Sequence, residues 1–203
     1  MHPFKFYLKL GFEHIADLNA YDHILFLVVL CAVYKMNQWR NILILITAFT
    51  IGHSITLFLV SLDYFTIPSR VIKLLIPITI LITSLQNVIN DKQLKNFSRM
   101  GRNYFMALFF GFIHGMDFSN YFKALIMSPE EILIPLLGFN IGIELGQLLI
   151  VLFIVLFGFI FLDILKVKHN KWNFFISGSA FVKYIQDNIE NKDLPQSLGN
   201  LVK

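Results

Sequence analysis

Long runs of apolar residues, each about the length of a membrane-crossing helix, divide this sequence. The hydrocarbon core of a bilayer is about 30 Å thick, and roughly 20 helical residues cross it. The sequence predicts six such spans, at about 22–38, 41–62, 68–90, 103–126, 132–162 and 172–188. The last is the weakest, because Lys183 interrupts a short apolar stretch. Continuous runs favour helices over the alternating pattern of a β-barrel, so we expect an all-α integral membrane protein.

The two ends of the chain differ from these runs. Before the first span, apolar residues recur at helical spacing: Phe4, Tyr7, Leu8, Phe12 and Ile15. This spacing predicts a short amphipathic N-terminal helix that lies in the membrane interface. Residues 189–203 are polar and predict a C-terminal tail. Residues 1–188 are therefore expected to form a single polytopic membrane domain of about six helices.

Composition supports this class of protein. The 203 residues are 56% hydrophobic and only 15% charged, whereas soluble domains are roughly 25% charged. A disordered chain and a soluble globule are both disfavoured. The one cysteine, Cys31, lies in an apolar run and excludes an internal disulfide.

Charge distribution predicts how the helices are oriented. Nine basic residues fall between spans one and two, three and four, or five and six: Lys35, Arg40, Lys92, Lys95, Arg99, Arg102, Lys166, Lys168 and Lys171. Basic loops mark the cytoplasmic side of a membrane. Both termini are therefore predicted to be extracytoplasmic, and the net charge of +4 needs no nucleic-acid partner.

Several polar side chains interrupt the spans or lie at their ends, where an ionisable group is costly and indicates function. The candidates are His14, Asp22, His23, His53, His114, Asp117, Asn140 and Glu144. With a rise of 1.5 Å per residue, His53 and His114 lie about 18 and about 17 Å from the inner ends of their spans. Asn140 and Glu144 lie about 12 and about 18 Å below the outer end of theirs. One layer, from the midplane to the outer half, is predicted to hold most of them.

The residue types in this layer suit a metal ion. Imidazole and carboxylate ligands together favour a borderline divalent ion such as Ni²⁺, Co²⁺ or Zn²⁺. Simpler explanations exist for single residues: His53 could form a hydrogen bond between helices, and Asp22 could cap the first span. Glu144 is the hardest to explain in this way, because an unpaired carboxylate at that depth is strongly penalised.

Glycines predict where helices pack closely. Gly138, Gly142 and Gly146 recur every four residues, as do Gly111 and Gly115. Such spacing lets two helix backbones approach each other.

Four segments that contain these residues resemble the HupE/UreJ family: GFEHIADLNAYDHILFLVVL (11–30), TAFTIGHSITL (47–57), GFIHGMDFS (111–119) and GFNIGIELGQL (138–148). Members of this family are small bacterial inner-membrane proteins of about six helices, associated with hydrogenase and urease maturation and regarded as nickel or cobalt permeases. The resemblance implies that His14, Asp22 and His23 form a metal-recognition motif. It also matches Gly52-His53-Ser54 and His114-Gly115 to family motifs.

Two departures from the family pattern bear on the site. Seven residues separate His14 from Asp22-His23, where the family usually has five. Two extra residues would turn His14 by about 200° on a continuous helix, unless a break near Asn19-Ala20 absorbs them. Asp117 stands where a small residue is expected in close relatives, and is either an extra ligand or a sign of different chemistry.

Three functions fit this sequence. In a nickel or cobalt permease, Asp22 and His23, with or without His14, would capture the ion, and the deeper residues would hold it transiently. In an intramembrane metalloenzyme, a hydrolase or lipid-modifying enzyme, His23, His53 and His114 would bind Zn²⁺ or Fe²⁺. Glu144 or Asp117 would then act as general base. In a structural protein, the polar residues would only join helices. The expected partners are the lipid bilayer and the metal ion, and the small size of the chain favours a homo-oligomer.

Overall fold

All regular elements in the described part of the protein are helical. The computed structural model describes residues 3–18, 21–34, 36–89, 96–126 and 132–190. The α-helices are α1 Pro3–Ala16, α2 Asp22–Cys31, α3 Trp39–Ser61, α4 Ser69–Ile89, α5 Asn96–Leu125, α6 Leu133–Phe159 and α7 His169–Glu190. A short 3₁₀ turn, Met36–Gln38, precedes α3, and a π-helical turn, Ile160–Ile164, extends α6. The tail beyond Glu190 and the suggested break at Asn19-Ala20 lie outside the described residues.

Three described helices are long and apolar enough to cross a membrane: Trp39–Ser61, Ser69–Asn87 and Leu133–Ile164. They correspond to the predicted spans 41–62, 68–90 and 132–162. The predicted spans 103–126 and 172–188 are helical, within α5 and α7, but neither helix is among these three. α5 also includes charged residues, such as Arg102, Asp117 and Lys123.

The prediction of one continuous first span at 22–38 is wrong. The helix that begins at Asp22 ends at Cys31 and is 10 residues long, too short to cross a bilayer alone. Leu27 and Cys31 of α2 share an apolar cluster with Val151 of α6. The first apolar run therefore forms a helix of 10 residues that packs beside α6.

The N-terminal helix is amphipathic, as predicted. It was expected to lie in the membrane interface, but it packs lengthwise along α6, a membrane-length helix. Tyr7, Gly11 and Ile15 are buried on one face, and Lys9 and Glu13 form an exposed ion pair 3.5 Å apart on the other. Successive residues of α1 lie against successive glycines of α6, Phe4 at Gly138, Leu8 at Gly142 and Phe12 at Gly146, so the two helices run parallel. The physical reason is the glycine series on α6, which gives α1 a groove to pack into.

Glycines bring two pairs of helices into backbone contact, which confirms the prediction from their spacing. On α6, a Cβ added to Gly142 would lie 2.1 Å from the carbonyl oxygen of Leu8 in α1. On α5, a Cβ added to Gly111 would lie 2.1 Å from the carbonyl oxygen of Phe49 in α3. Any side chain there would force the helices apart. These contacts hold α1 against α6 and α3 against α5.

The two helix pairs and α2 enclose a buried centre, whereas the outer surface is apolar. Phe26 of α2 and Phe49 of α3 are at most 1% exposed. On α6, by contrast, Leu152 and Phe153 are more than half exposed, at 53% and 64%. An apolar exterior around a buried polar centre is the arrangement expected of a protein that faces lipid.

Candidate metal centre

Four histidines from four helices meet in the buried centre. The ring of His14 in α1 lies 4.8 Å, centroid to centroid, from that of His23 in α2 and 5.8 Å from that of His53 in α3. The ring of His114 in α5 lies 5.2 Å from that of His23. His23, His53 and His114 are at most 4% exposed, and His14 is half-buried. The structure thus brings together all four histidines selected from the sequence.

Three of them form a compact ligand set, here called the three-histidine group. His14, His23 and His53 each offer one nitrogen, and these nitrogens all lie within 4.8 Å of one another. Metal–nitrogen bonds of about 2.0–2.1 Å place the nitrogens of a tetrahedral site roughly 3.4 Å apart, so the three nitrogens would move closer by up to about 1.4 Å on binding an ion. His114 stands beside this group, against His23.

The helix break explains why His14 belongs to the site. α1 ends at Ala16, two residues after His14, and α2 begins at Asp22, one residue before His23. The two histidines are therefore on separate helices, and the rotation of about 200° expected for a continuous helix does not apply. The seven-residue spacing is compatible with a shared site because the backbone leaves the helical path between them.

Aromatic rings surround the histidines. Phe118 and Phe139 lie 4.2 and 5.7 Å, centroid to centroid, from His14. Phe26 and Phe49 lie 5.4 and 5.3 Å from His114. These four phenylalanines give the centre a largely apolar lining.

Several of the histidine nitrogens lack a hydrogen-bonding partner. His53 is 0% exposed, and neither of its ring nitrogens has such a partner among the described residues. The same holds for Nε2 of His14. Buried polar atoms are nearly always hydrogen-bonded, so this centre carries a cost that a bound cation would offset.

His114 differs from His53 in having a hydrogen-bonding neighbour that the sequence reading missed. Its Nε2 lies 3.1 Å from the hydroxyl oxygen of Thr79 in α4, and Thr79 is 2% exposed. The only signal in the sequence was a hydroxyl two residues after Pro77 in an apolar helix. Helical threonines usually bond their own backbone, so that signal pointed to no particular partner.

The two aspartates lie at the border of the centre and not within the three-histidine group. Asp22 is half-buried, and its carboxylate interacts electrostatically with that of Asp117, which is exposed on α5. Asp117 also interacts with Lys73 of α4. The aspartates therefore form an acidic border where the histidine centre meets the surface.

Glu144 lies at the contact between α3 and α6 and is not part of the three-histidine group. Glu144 is not unpaired: its Oε1 accepts a hydrogen bond from the Thr47 hydroxyl at 2.8 Å. One turn along, the Thr50 hydroxyl donates to Oε1 of Gln147 at 2.8 Å. Oδ1 of Asn140 is buried without a hydrogen-bonding partner among the described residues. The two hydrogen-bonded pairs, Thr47 with Glu144 and Thr50 with Gln147, form a polar seam between α3 and α6.

The fold and the centre together define a class: an all-helical protein with membrane-length apolar helices and a buried histidine cluster suited to a transition metal. Comparison with protein families agrees. The family model described as HupE / UreJ protein matches residues 1–187, and the chain belongs to this family. Membership implies an accessory or permease role in nickel or cobalt handling. No curated protein and no solved structure matches the chain.

Proposed function

We propose that this protein is a permease for a divalent transition metal, nickel or cobalt, and that the three-histidine group is its ion-binding site. One observation carries the proposal: three histidines from three helices, two of them buried and His14 half-buried, place one nitrogen each within 4.8 Å of the others. Both ring nitrogens of His53 and Nε2 of His14 lack a hydrogen-bonding partner among the described residues, which favours a ligand at this place.

The surrounding residues fit successive stages of transport. Asp22 and Asp117 collect cations at the border of the centre, because carboxylates attract them. The histidines then bind the ion, with His114 beside them. Asn140 and Glu144 receive it along the seam between α3 and α6. A few ligands of mixed strength allow an ion to enter and also to leave.

The donor set limits the choice of ion. Imidazole nitrogens suit Ni²⁺, Co²⁺ and Zn²⁺ and are poor ligands for Mg²⁺ or Ca²⁺, which prefer oxygen. Family membership favours nickel or cobalt over zinc. The metal is the transported substrate.

The bacterial inner membrane is the proposed location. The three membrane-length helices and the exposed apolar surface of α6 support insertion. The basic loops support a topology of about six spans in which both termini are extracytoplasmic. A homo-oligomer is part of this proposal only because the chain is small.

A metal-dependent enzyme is the second candidate. Three histidine ligands with one open position are the typical ligand set of a catalytic zinc site. Glu144 or the exposed Asp117 would serve as general base. Such an enzyme retains its metal, whereas a permease must release it.

Purified protein and proteoliposomes distinguish these functions. We expect wild-type vesicles to accumulate Ni²⁺ or Co²⁺ down an imposed gradient, and vesicles with His53→Leu to accumulate none. Vesicles with His169→Gln, a histidine of α7 that is not part of the three-histidine group, provide the control. Metal at one equivalent after purification, by elemental analysis, together with no uptake would favour the enzyme. Absence of both binding and uptake would overturn both functions.

A further inference from the structure

We propose that Thr79 is a positioning residue that selects the tautomer of His114, so that His114 presents Nδ1 to a metal ion as a further ligand beside the three-histidine group. This inference rests on the proposed metal site. It adds a residue of α4, a helix that contributes no histidine or carboxylate to the group.

The proton of the Thr79 hydroxyl is directed to a backbone carbonyl of α4. The Thr79 hydroxyl oxygen lies 2.6 Å from the carbonyl oxygen of Ile76. A carbonyl oxygen only accepts hydrogen bonds, so the hydroxyl proton points to Ile76. A hydroxyl carries a single proton, and toward any other partner Thr79 therefore acts as an acceptor.

The second partner of that hydroxyl is Nε2 of His114, at 3.1 Å. Because the hydroxyl accepts here, Nε2 must carry the proton and donate it. A neutral imidazole has one protonated and one unprotonated nitrogen. The unprotonated nitrogen of His114 is then Nδ1, whose lone pair is available.

Because His114 is buried beside the three-histidine group, its tautomer determines which of its nitrogens can bind a metal ion there. His114 is 0% exposed, and its Nδ1 has no hydrogen-bonding partner among the described residues. Its ring lies 5.2 Å from that of His23, a member of the three-histidine group. Metal-binding histidines usually donate their second N–H to an oxygen, which sets the tautomer and orients the ring. Thr79 supplies such an oxygen from α4.

The neighbouring Thr83 provides a matched control. Its hydroxyl donates to the carbonyl oxygen of Thr79 at 2.8 Å, and it is 6% exposed. It thus makes the same kind of bond one turn along the same helix. No hydrogen bond joins it to a histidine in the described part of the chain.

The first test uses detergent-purified protein titrated with Co²⁺ and monitored by visible absorption. We expect Thr79→Val to weaken Co²⁺ binding by about 10- to 100-fold, the usual effect of losing such a partner, and to alter the cobalt spectrum. Thr79→Ser keeps the hydroxyl and should restore both, and Thr83→Val should leave both unchanged. Wild-type affinity and spectrum in Thr79→Val would overturn the proposal.

The second test does not depend on metal. Histidine-selective ¹⁵N NMR of the metal-free protein distinguishes the two neutral tautomers, and His114→Gln identifies the His114 signals. We expect a protonated Nε2 in the wild type and in Thr83→Val, and a mixture of tautomers in Thr79→Val. A protonated Nδ1 in the wild type would overturn the tautomer assignment. If the tautomer is as stated but the wild type binds no cobalt, the proposed metal site fails and the part of Thr79 in metal binding fails with it.

Discussion

At the scale of single residues, the buried centre contains polar atoms that lower the stability of the metal-free protein but are available to bind an ion. His53 is fully buried with both ring nitrogens lacking hydrogen-bonding partners among the described residues. An unsatisfied buried polar atom costs about 1–3 kcal/mol. A residue selected only to join helices would be hydrogen-bonded, as the nearby Thr56 is to the carbonyl oxygen of Phe112 at 2.7 Å.

We therefore predict that His53→Leu leaves the metal-free protein equally stable or more stable, by up to about 2 kcal/mol, because it removes unsatisfied polar atoms. Ni²⁺ should no longer raise the free energy of unfolding of the His53→Leu variant. For the wild type, Ni²⁺ at 100 times its dissociation constant should add about 2.7 kcal/mol to the free energy of unfolding. Thermal unfolding in detergent, with and without Ni²⁺, measures both effects.

Thr56→Val is the control for this prediction. It removes hydroxyl bonds one turn from His53 and should destabilise the protein by about 1 kcal/mol, while the stabilisation by Ni²⁺ persists. If His53→Leu were instead the more damaging of the two in the metal-free protein, His53 would have a structural role.

The histidines could be selected from sequence because each stands out in an apolar run, where a titratable group is costly. Their partners could not. Thr79 and Gln147 look like ordinary residues in the sequence, and only the packing of α4 on α5 and of α3 on α6 gives them partners. Glu144 also stands out in the sequence, but its hydrogen bond from Thr47 depends on a residue 97 positions away.

At the scale of helices, close backbone contacts determine where the histidine side chains of the metal centre lie. α1 carries His14, and the groove along α6 holds α1 in place. Gly142 is central to this groove, since a Cβ there would lie 2.1 Å from a backbone oxygen that cannot move aside independently.

We predict that Gly142→Ala destabilises the protein by about 1–3 kcal/mol, as overpacking does, and also weakens Ni²⁺ binding because α1 and His14 shift. Gly178→Ala is the control, since no atom lies within 4 Å of the added Cβ. That change should stabilise α7 by up to about 1 kcal/mol through helix propensity. Equal stability of the two variants would contradict the close contact, and thermal unfolding measures it.

The polar seam between α3 and α6 allows movement of the ion through the protein to be tested separately from its binding at the three-histidine group. Glu144→Gln keeps an acceptor for the Thr47 hydroxyl but removes the negative charge. We predict that vesicle uptake of Ni²⁺ falls at least about tenfold, a barrier increase of about 1.4 kcal/mol, while equilibrium binding at the three-histidine group is unchanged.

Thr47→Val is the matched variant for this seam. It removes the hydrogen bond to Glu144 and leaves the charge, so uptake should be retained to a greater extent than in Glu144→Gln. Wild-type uptake in Glu144→Gln would exclude Glu144 from the ion path, whatever its packing role.

At the scale of the whole molecule, topology determines which side the acidic border faces. The basic residues Lys166, Lys168 and Lys171 follow α6, whereas α1 starts at the same end as α6 and runs parallel to it. If the basic segment is cytoplasmic, α1 begins on the opposite side.

We predict that, in a Cys31→Ala background, Lys5→Cys is labelled in intact cells by a membrane-impermeant maleimide and Lys168→Cys only after permeabilisation. Both positions are exposed, and the positive-inside rule supplies the orientation. The opposite labelling pattern would invert the orientation and place the acidic border on the cytoplasmic side.

By itself, the sequence determined the helical class, the membrane-length runs, the glycine contacts and the identity of the histidines. These features are local: apolar periodicity, side-chain size and the cost of a buried charge act over a few residues. Tertiary structure decided that α2 ends at Cys31, that α1 runs along α6, and that Thr79 faces His114. Those outcomes depend on contacts between helices distant in sequence, and the energies of such contacts depend on how entire helix surfaces fit together.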